Sequence, residues 1–314
     1  MVRSEDLAAT WSRHWNSGQT ESSPDESVNL APVDTAWRSH FAGLADGSRI
    51  LDLATGGGHV LRQGVKAAAN LGRTFEIHGV DLAELAAVAK SLPAHVMLTG
   101  NVDVAALPFE NAQFDSVVSQ FGIEYADPDR AYAEALRVLK AGRRGQFILH
   151  HRQGAIVSAA HAKLSAFDAV FAGDGVFRQA QEAFEHLARR DDLGVTDAAI
   201  SRFRTSVAEL EARLQRGPQY RDAGHMTRFL RDLAQQPQRF DAAEVMRRIS
   251  GLRSELDGWQ LRQRALIEAA LDRGGMDRVA ASLRENGAAS VTIAEIGTRN
   301  DIVAWCCAFE KNPP

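Results

Sequence analysis

Only two of the 314 residues are cysteines, Cys306 and Cys307. Adjacent cysteines cannot close a useful loop, which excludes a disulfide framework and favours a reducing compartment. No stretch approaches the roughly 20 apolar residues of a spanning helix, and the opening "MVRSEDLAATWSRHW" lacks the unbroken apolar run of a signal peptide. The expectation is a cytoplasmic protein with no membrane partner. Basic charge is not in excess either: 36 Lys and Arg face 40 Asp and Glu, for a formal net charge of -4. Tracking along nucleic-acid phosphates is therefore disfavoured, and a small-molecule substrate is the better default. What the chain does have is a hydrophobic fraction of 45%, ample for a core.

Met1 to Trp15 is weakly helical, with Trp11 and Trp15 four apart on one face. "NSGQTESSPDES" reads as an exposed loop, and Val33 to Leu44 as a helix with Trp37, Phe41 and Leu44 inward. From Arg49 to His151 strands and helices alternate. The strands fall at Ile50–Ala54, Phe75–Asp81, Val96–Thr99, Ser116–Ser119 and Gln146–His150, with helices such as "HVLRQGVKAAANLG" and "DRAYAEALRVLKAG" between them. Such alternation predicts an α/β fold, a mostly parallel sheet with helices on both faces and ligands at the strands' carboxyl ends. Between Ala155 and Glu285 long amphipathic helical patterns take over, broken near "DDLG", "RGPQ", "QQPQ" and "LDRGG". Two strands, Ser290–Ile296 and Asp301–Lys311, meet at "GTRN" and bring the sheet to seven. The expected division is 1–48, N-terminal helices or lid; 49–152, ligand-binding core; 153–287, a helical cap inserted between strands five and six; and 288–314, the closing strand pair. The cap is expected to cover the pocket and choose the substrate. Its arginines, among them Arg202, Arg204, Arg228, Arg231, Arg247 and Arg248, are mixed with acids and read first as solvated helix surface.

"RILDLATGGGHV", Arg49 to Val60, places three glycines between a buried strand and a helix. Glycine tolerates positive φ and leaves no Cβ before a ligand, and the helix start adds free amides. A dinucleotide fingerprint needs a third glycine where Leu61 stands, and no Gly-Lys-Ser/Thr follows for a polyphosphate.

With an acid, a short spacer and Gly-x-Gly (Asp52, Gly56, Gly58), the chain resembles the class I S-adenosylmethionine-dependent methyltransferases, in the motif style of small-molecule, quinone and natural-product enzymes. Later landmarks follow in order: "FEIHGVDLA", then "NVDVAALPFENAQFDSVVSQFGIEY", then "ALRVLKAGRRGQFILHH". In the last, Gly142 and Gly145 flank two arginines where the family has adjacent glycines. The resemblance implies a Rossmann-like core that binds S-adenosyl-L-methionine and releases S-adenosyl-L-homocysteine. It implies cofactor contacts from Asp52, Ala54, Gly56, Gly57, Gly58, Asp81, Leu82, Asp103, Val104 and Gln120, with Asp81 taking the ribose hydroxyls and Asp103 the adenine amino group. Each acid also has a plainer reading as a turn or helix cap or a solvated side chain.

Methyl transfer requires alignment and a nucleophile with a free lone pair, and a base where that nucleophile carries a proton. His150 and His151 end the fifth strand and are the candidate catalytic residues. Strand alternation lets at most one of them face the pocket. Phe121, Glu124 and Tyr125, after strand four, and His14, beside Trp11 and Trp15, are candidate substrate contacts; wall packing or helix anchoring is the alternative for the aromatics. No acid or cysteine completes a metal set with the histidines, so no metal is expected. The expected activity is methyl transfer to oxygen or nitrogen of a small molecule by direct displacement. The alternatives are a different reaction of the same cofactor, such as rearrangement or elimination, or a non-catalytic binding or dimerisation module. A homodimer is left open. "SQFGIEY" stands where amino-methylating nucleic-acid enzymes carry an Asn/Asp-Pro-Pro-Tyr motif, which argues against a nucleic-acid partner.

Overall fold

A computed structural model describes residues 4–17, 28–171, 175–215 and 224–314. Most of the loop expected over "NSGQTESSPDES" and the break at "RGPQ" lie outside these residues. Seven strands form one sheet: β1 (Ser48–Leu53), β2 (Phe75–Val80), β3 (Met97–Thr99), β4 (Phe114–Gln120), β5 (Leu139–His150), β6 (Ala288–Gly297) and β7 (Ile302–Lys311). Their order is β3-β2-β1-β4-β5-β7-β6. The first five pair in parallel, and β7 runs antiparallel between β5 and β6. The order reverses beside β1, where ligands settle in open α/β sheets.

The helices of the sheet unit are α1 (Ser4–Asn16), α2 (Ala31–Ala42), α3 (His59–Leu71), α4 (Ala86–Lys90), α5 (Pro128–Val138) and, near the chain's end, α11 (Arg273–Glu285). One face of the sheet packs Trp37 and Phe41 of α2 and Val60 and Leu61 of α3 against Ile50, Ile77 and Ile148. The other packs Tyr132 and Leu136 of α5 and Met276, Val279 and Leu283 of α11 against Leu51, Phe147 and Trp305. Covered on both faces, β1 and β4 are buried along nearly their whole length. Pro128 opens α5 and the Asp127 side chain caps it by accepting from the Asp129 amide.

The chain divides into two compact units, one of residues 1–159 and 264–314, the other of 160–263. The second takes in most of α6 (Ala155–Phe171), all of α7 (Gly175–Arg189), α8 (Leu193–Leu214) and α9 (Gly224–Gln235), and most of α10 (Ala242–Ala269). It has its own core, including Phe177, Phe184, Phe203, Leu230, Leu233 and Ile249. Several of its arginines are engaged at the surface: Arg202 pairs with Glu182, Arg231 with Glu211, and Arg248 lies over the Phe229 ring. No helix among the described residues is long and apolar enough to cross a membrane.

Two expectations shift. The insert expected over 153–287 is shorter as a compact unit, because α11 buries its apolar side on the sheet. The helix expected to run through "LKAG" stops at Val138; Leu139 is fully buried as the first residue of β5, and the strand takes in Gly142 and the two arginines. The absorbed turn survives as a register irregularity against β4 and a positive φ of 65° at Gly142.

Candidate active site

Strand β1 ends at Leu53 and the chain turns over Ala54, Thr55, Gly56, Gly57 and Gly58 into α3. Three of these residues have positive φ: Ala54 at 51°, Gly56 at 51° and Gly58 at 77°. Beneath the turn the buried Asp52 carboxyl group accepts the Thr55 hydroxyl at 2.5 Å, while its other oxygen has no partner among the described residues. Burial pushes its pKa up to about 8, the Thr55 hydrogen bond opposing and the Asp81 charge adding. One strand over, Asp81 accepts from the Gly56 amide and from the Ala83 amide, both at 2.8 Å. Burial raises its pKa and those two amides pull it back.

A cleft with about 1140 Å³ of empty space, part of it open to solvent, lies against this turn. Ala54, Thr55, Gly56, Gly57 and Asp81 form one side; Gln120, Phe121, Gly122, Tyr125 and His150, from the ends of β4 and β5, form another. Apolar closure comes from Trp11 and Trp15 of α1, Val28 and Leu30 before α2, and Ile156 and Ala159 at the start of α6. The Trp15 ring rests on the turn, and a Cβ placed on Gly56 would sit 2.7 Å from it.

His150 is buried, and its Nδ1 lies 2.8 Å from Glu124 Oε1, which also accepts the His150 backbone amide at 3.0 Å. With Nδ1 so held, Nε2 is the nitrogen without a protein partner among the described residues. Phe121 covers the imidazole with ring centroids 4.5 Å apart, and Tyr125 meets it edge-on at 6.0 Å. Burial, then the Glu124 charge, raises the Tyr125 pKa well above its ordinary value, so its hydroxyl remains a donor.

Of the expected cofactor contacts, Ala54, Gly56, Gly57, Asp81 and Gln120 meet in the cleft wall. Asp52 sits under the turn, and Gly58 caps α3. Leu82 points outward at 45% exposure, Val104 is packed in the core, and Asp103 is exposed, its carboxylate accepting the Ala105 amide in a local turn. Glu124, expected to shape the pocket, instead lies fully buried beside the His150 imidazole. His14 packs its ring on Trp11 and Trp15 and does not line the cleft. His151 faces the opposite side of the sheet, with Nε2 3.4 Å from Glu295, Nδ1 accepting the Gln153 amide at 3.1 Å and its ring against Trp305. Val28, Leu30, Ile156 and Ala159 had no motif to mark them, whereas Thr55 and His59 flank the glycines.

Bare main chain beside a buried carboxylate suits a ligand with a hydroxylated sugar, and Asp81 keeps a second lone pair on each oxygen for it. The residues therefore fit S-adenosylmethionine at Ala54, Gly56, Gly57 and Asp81. Among the described residues no group of three or more His, Cys, Asp or Glu is placed to hold a metal ion.

Comparison with known proteins places a methyltransferase domain over the strands that build this cleft. Residues 51–149 match the family model described as a methyltransferase domain. A 2-phytyl-1,4-naphtoquinone methyltransferase of Synechocystis sp. is 32% identical over 38% of this chain and 52% of its own length. A demethylmenaquinone methyltransferase of Thermus thermophilus is 35% identical over 36% of this chain and 53% of its own. An S-adenosylmethionine-dependent methyltransferase structure from Mesorhizobium loti aligns with a TM-score of 0.33 at 22% identity, over 40% of this chain and 56% of that one. The chain thus spans about half the length of the curated relatives it matches.

Proposed function

Because the chain carries a class I S-adenosylmethionine-dependent methyltransferase domain, we propose that it transfers a methyl group to a small, planar, largely apolar acceptor, with His150 as general base. Bound S-adenosylmethionine supplies an electrophilic methyl on a sulfonium. The rest of the task falls to the protein: hold the acceptor, remove its proton and keep water out. The observation that carries the reading is the His150–Glu124 pair. A carboxylate at Nδ1 fixes the imidazole tautomer that leaves Nε2 bare, and it stabilises the imidazolium once Nε2 has taken a proton. Ring contacts from Phe121 and Tyr125 hold the imidazole plane.

The acceptor class follows from the wall. Trp11, Trp15, Leu30, Phe121 and Ile156 favour a flat apolar ring, and the relatives' names make quinol-type rings the leading candidates. Oxygen or nitrogen is the methylated atom in this reading; on a quinol, deprotonation of the hydroxyl also activates the ring carbon beside it. The second compact unit, residues 160–263, is proposed to govern substrate choice.

The test is incubation of the full chain with methyl-labelled S-adenosylmethionine and a panel of naphthoquinols and hydroxyarenes. Label in the product with equimolar S-adenosylhomocysteine is the expected result, and product NMR identifies the atom. Product without cofactor turnover supports the rearrangement or elimination alternative instead. His150→Ala should lower turnover by roughly 100-fold or more, the general-base contribution, with S-adenosylhomocysteine affinity within about two-fold of the parent; Glu124→Gln should lie between. Full turnover in both variants would sink the assignment.

A further inference from the structure

The Gln120 amide lines the cleft, and its orientation is not free. An indole N–H only donates, so Trp37 Nε1, at 2.5 Å, fixes the amide oxygen Oε1. Trp37 is fully buried and stacked on Phe41, so this anchor stays in place. The amide nitrogen Nε2, with two N–H groups, has no protein acceptor among the described residues. On the neighbouring strand Gln120 pairs with Ile148, and His150, two residues on, belongs to the same face of the sheet. Adjacent strand ends thus offer one side chain that only donates and one nitrogen that accepts.

The geometry points to a hydroxy-carbonyl arene as the acceptor, its ring carbonyl oxygen taking an N–H of Gln120 while its hydroxyl faces His150 Nε2. This rests on the reading of His150 as base and moves the favoured acceptor from carbonyl-free quinols to rings that carry a carbonyl beside the hydroxyl. A simple phenol or amine offers the Gln120 N–H groups no carbonyl acceptor, which works against it. Gln120 becomes a specificity-determining residue, and Trp37 a positioning residue that sets which end of the amide faces the ligand.

Calorimetry on the full chain with S-adenosylhomocysteine added tests this with matched probes. The 5-, 6- and 7-hydroxy-1-tetralones each differ from a tetrahydronaphthol only in the ketone. At least one ketone should bind about five- to ten-fold more tightly than its matched phenol, the worth of one neutral hydrogen bond. Gln120→Leu should bring the ketone-to-phenol affinity ratio down to about one. Gln120→Glu, which presents a carboxylate to the ketone, should weaken ketones at least as far. The inference is overturned if no ketone is preferred, if the preference survives in Gln120→Leu, or if the loss falls on S-adenosylhomocysteine. A ketone preference in a protein that methylates nothing defeats only the methyl-transfer reading; turnover that depends on His150 without a ketone preference defeats only this one.

Discussion

Asp52 holds a carboxyl group where its ionised form is strongly disfavoured, and the consequence is a stability that depends on pH. Its pKa rises from 3.8 to about 8, so the folded chain keeps a proton that the unfolded chain releases near pH 4. Stability tied to Asp52 is therefore complete below that pH and is lost as pH climbs toward 8. Asp52→Asn should remove this slope, gaining on the order of 4 kcal/mol over the parent at neutral pH. Urea denaturation at a series of pH values measures it; parallel curves would refute it. His40 works in the other direction: burial, then the Arg144 charge, pushes its pKa down to about 3, so its contribution is present above pH 6.5 and is lost as pH falls toward 3. Legibility at this scale was uneven. Period-two alternation was enough to separate the faces of His150 and His151. The role of Glu124 was not legible, because it lies 26 residues before His150 and only the pairing of β4 with β5 sets it beside the imidazole.

Elements with strong local patterns could be read directly: the apolar residues of β1 lead into the glycine turn, and α3 follows it. "LKAG" misled because its composition suits a helix, whereas tertiary burial of Leu139 makes it a strand. The α1 contribution to the cleft was legible only as a pair of tryptophans on one face. Its contact with Gly56 carries a prediction. Gly56→Ala strains a position at φ 51° and drives a methyl into the Trp15 ring. A loss of about 1–2 kcal/mol is expected, with a red shift of tryptophan emission as the indole leaves the turn. In a Trp15→Ala background the emission change should vanish and only the backbone part of the loss should remain. Unchanged emission in the single variant would show that α1 does not rest on the turn.

Each compact unit buries its own apolar cluster, so unfolding of the whole molecule should depart from a single two-state transition in calorimetry. S-adenosylhomocysteine should raise only the transition of the unit that holds the glycine turn; a single transition that shifts as a whole would contradict the division. Seven strands with the last inserted between the fifth and sixth are a topology that alternation alone does not specify, since the sequence marks strands but not their neighbours. That insertion also constrains biosynthesis. Strand β5, whose last residue is His150, has β7 as its second neighbour, with His150 opposite Ala304. A ribosome must therefore deliver residues 302–311 before that edge is covered. A nascent chain can collapse its helical unit first, while that margin of β5 keeps its backbone groups unpaired until the final strand slots in.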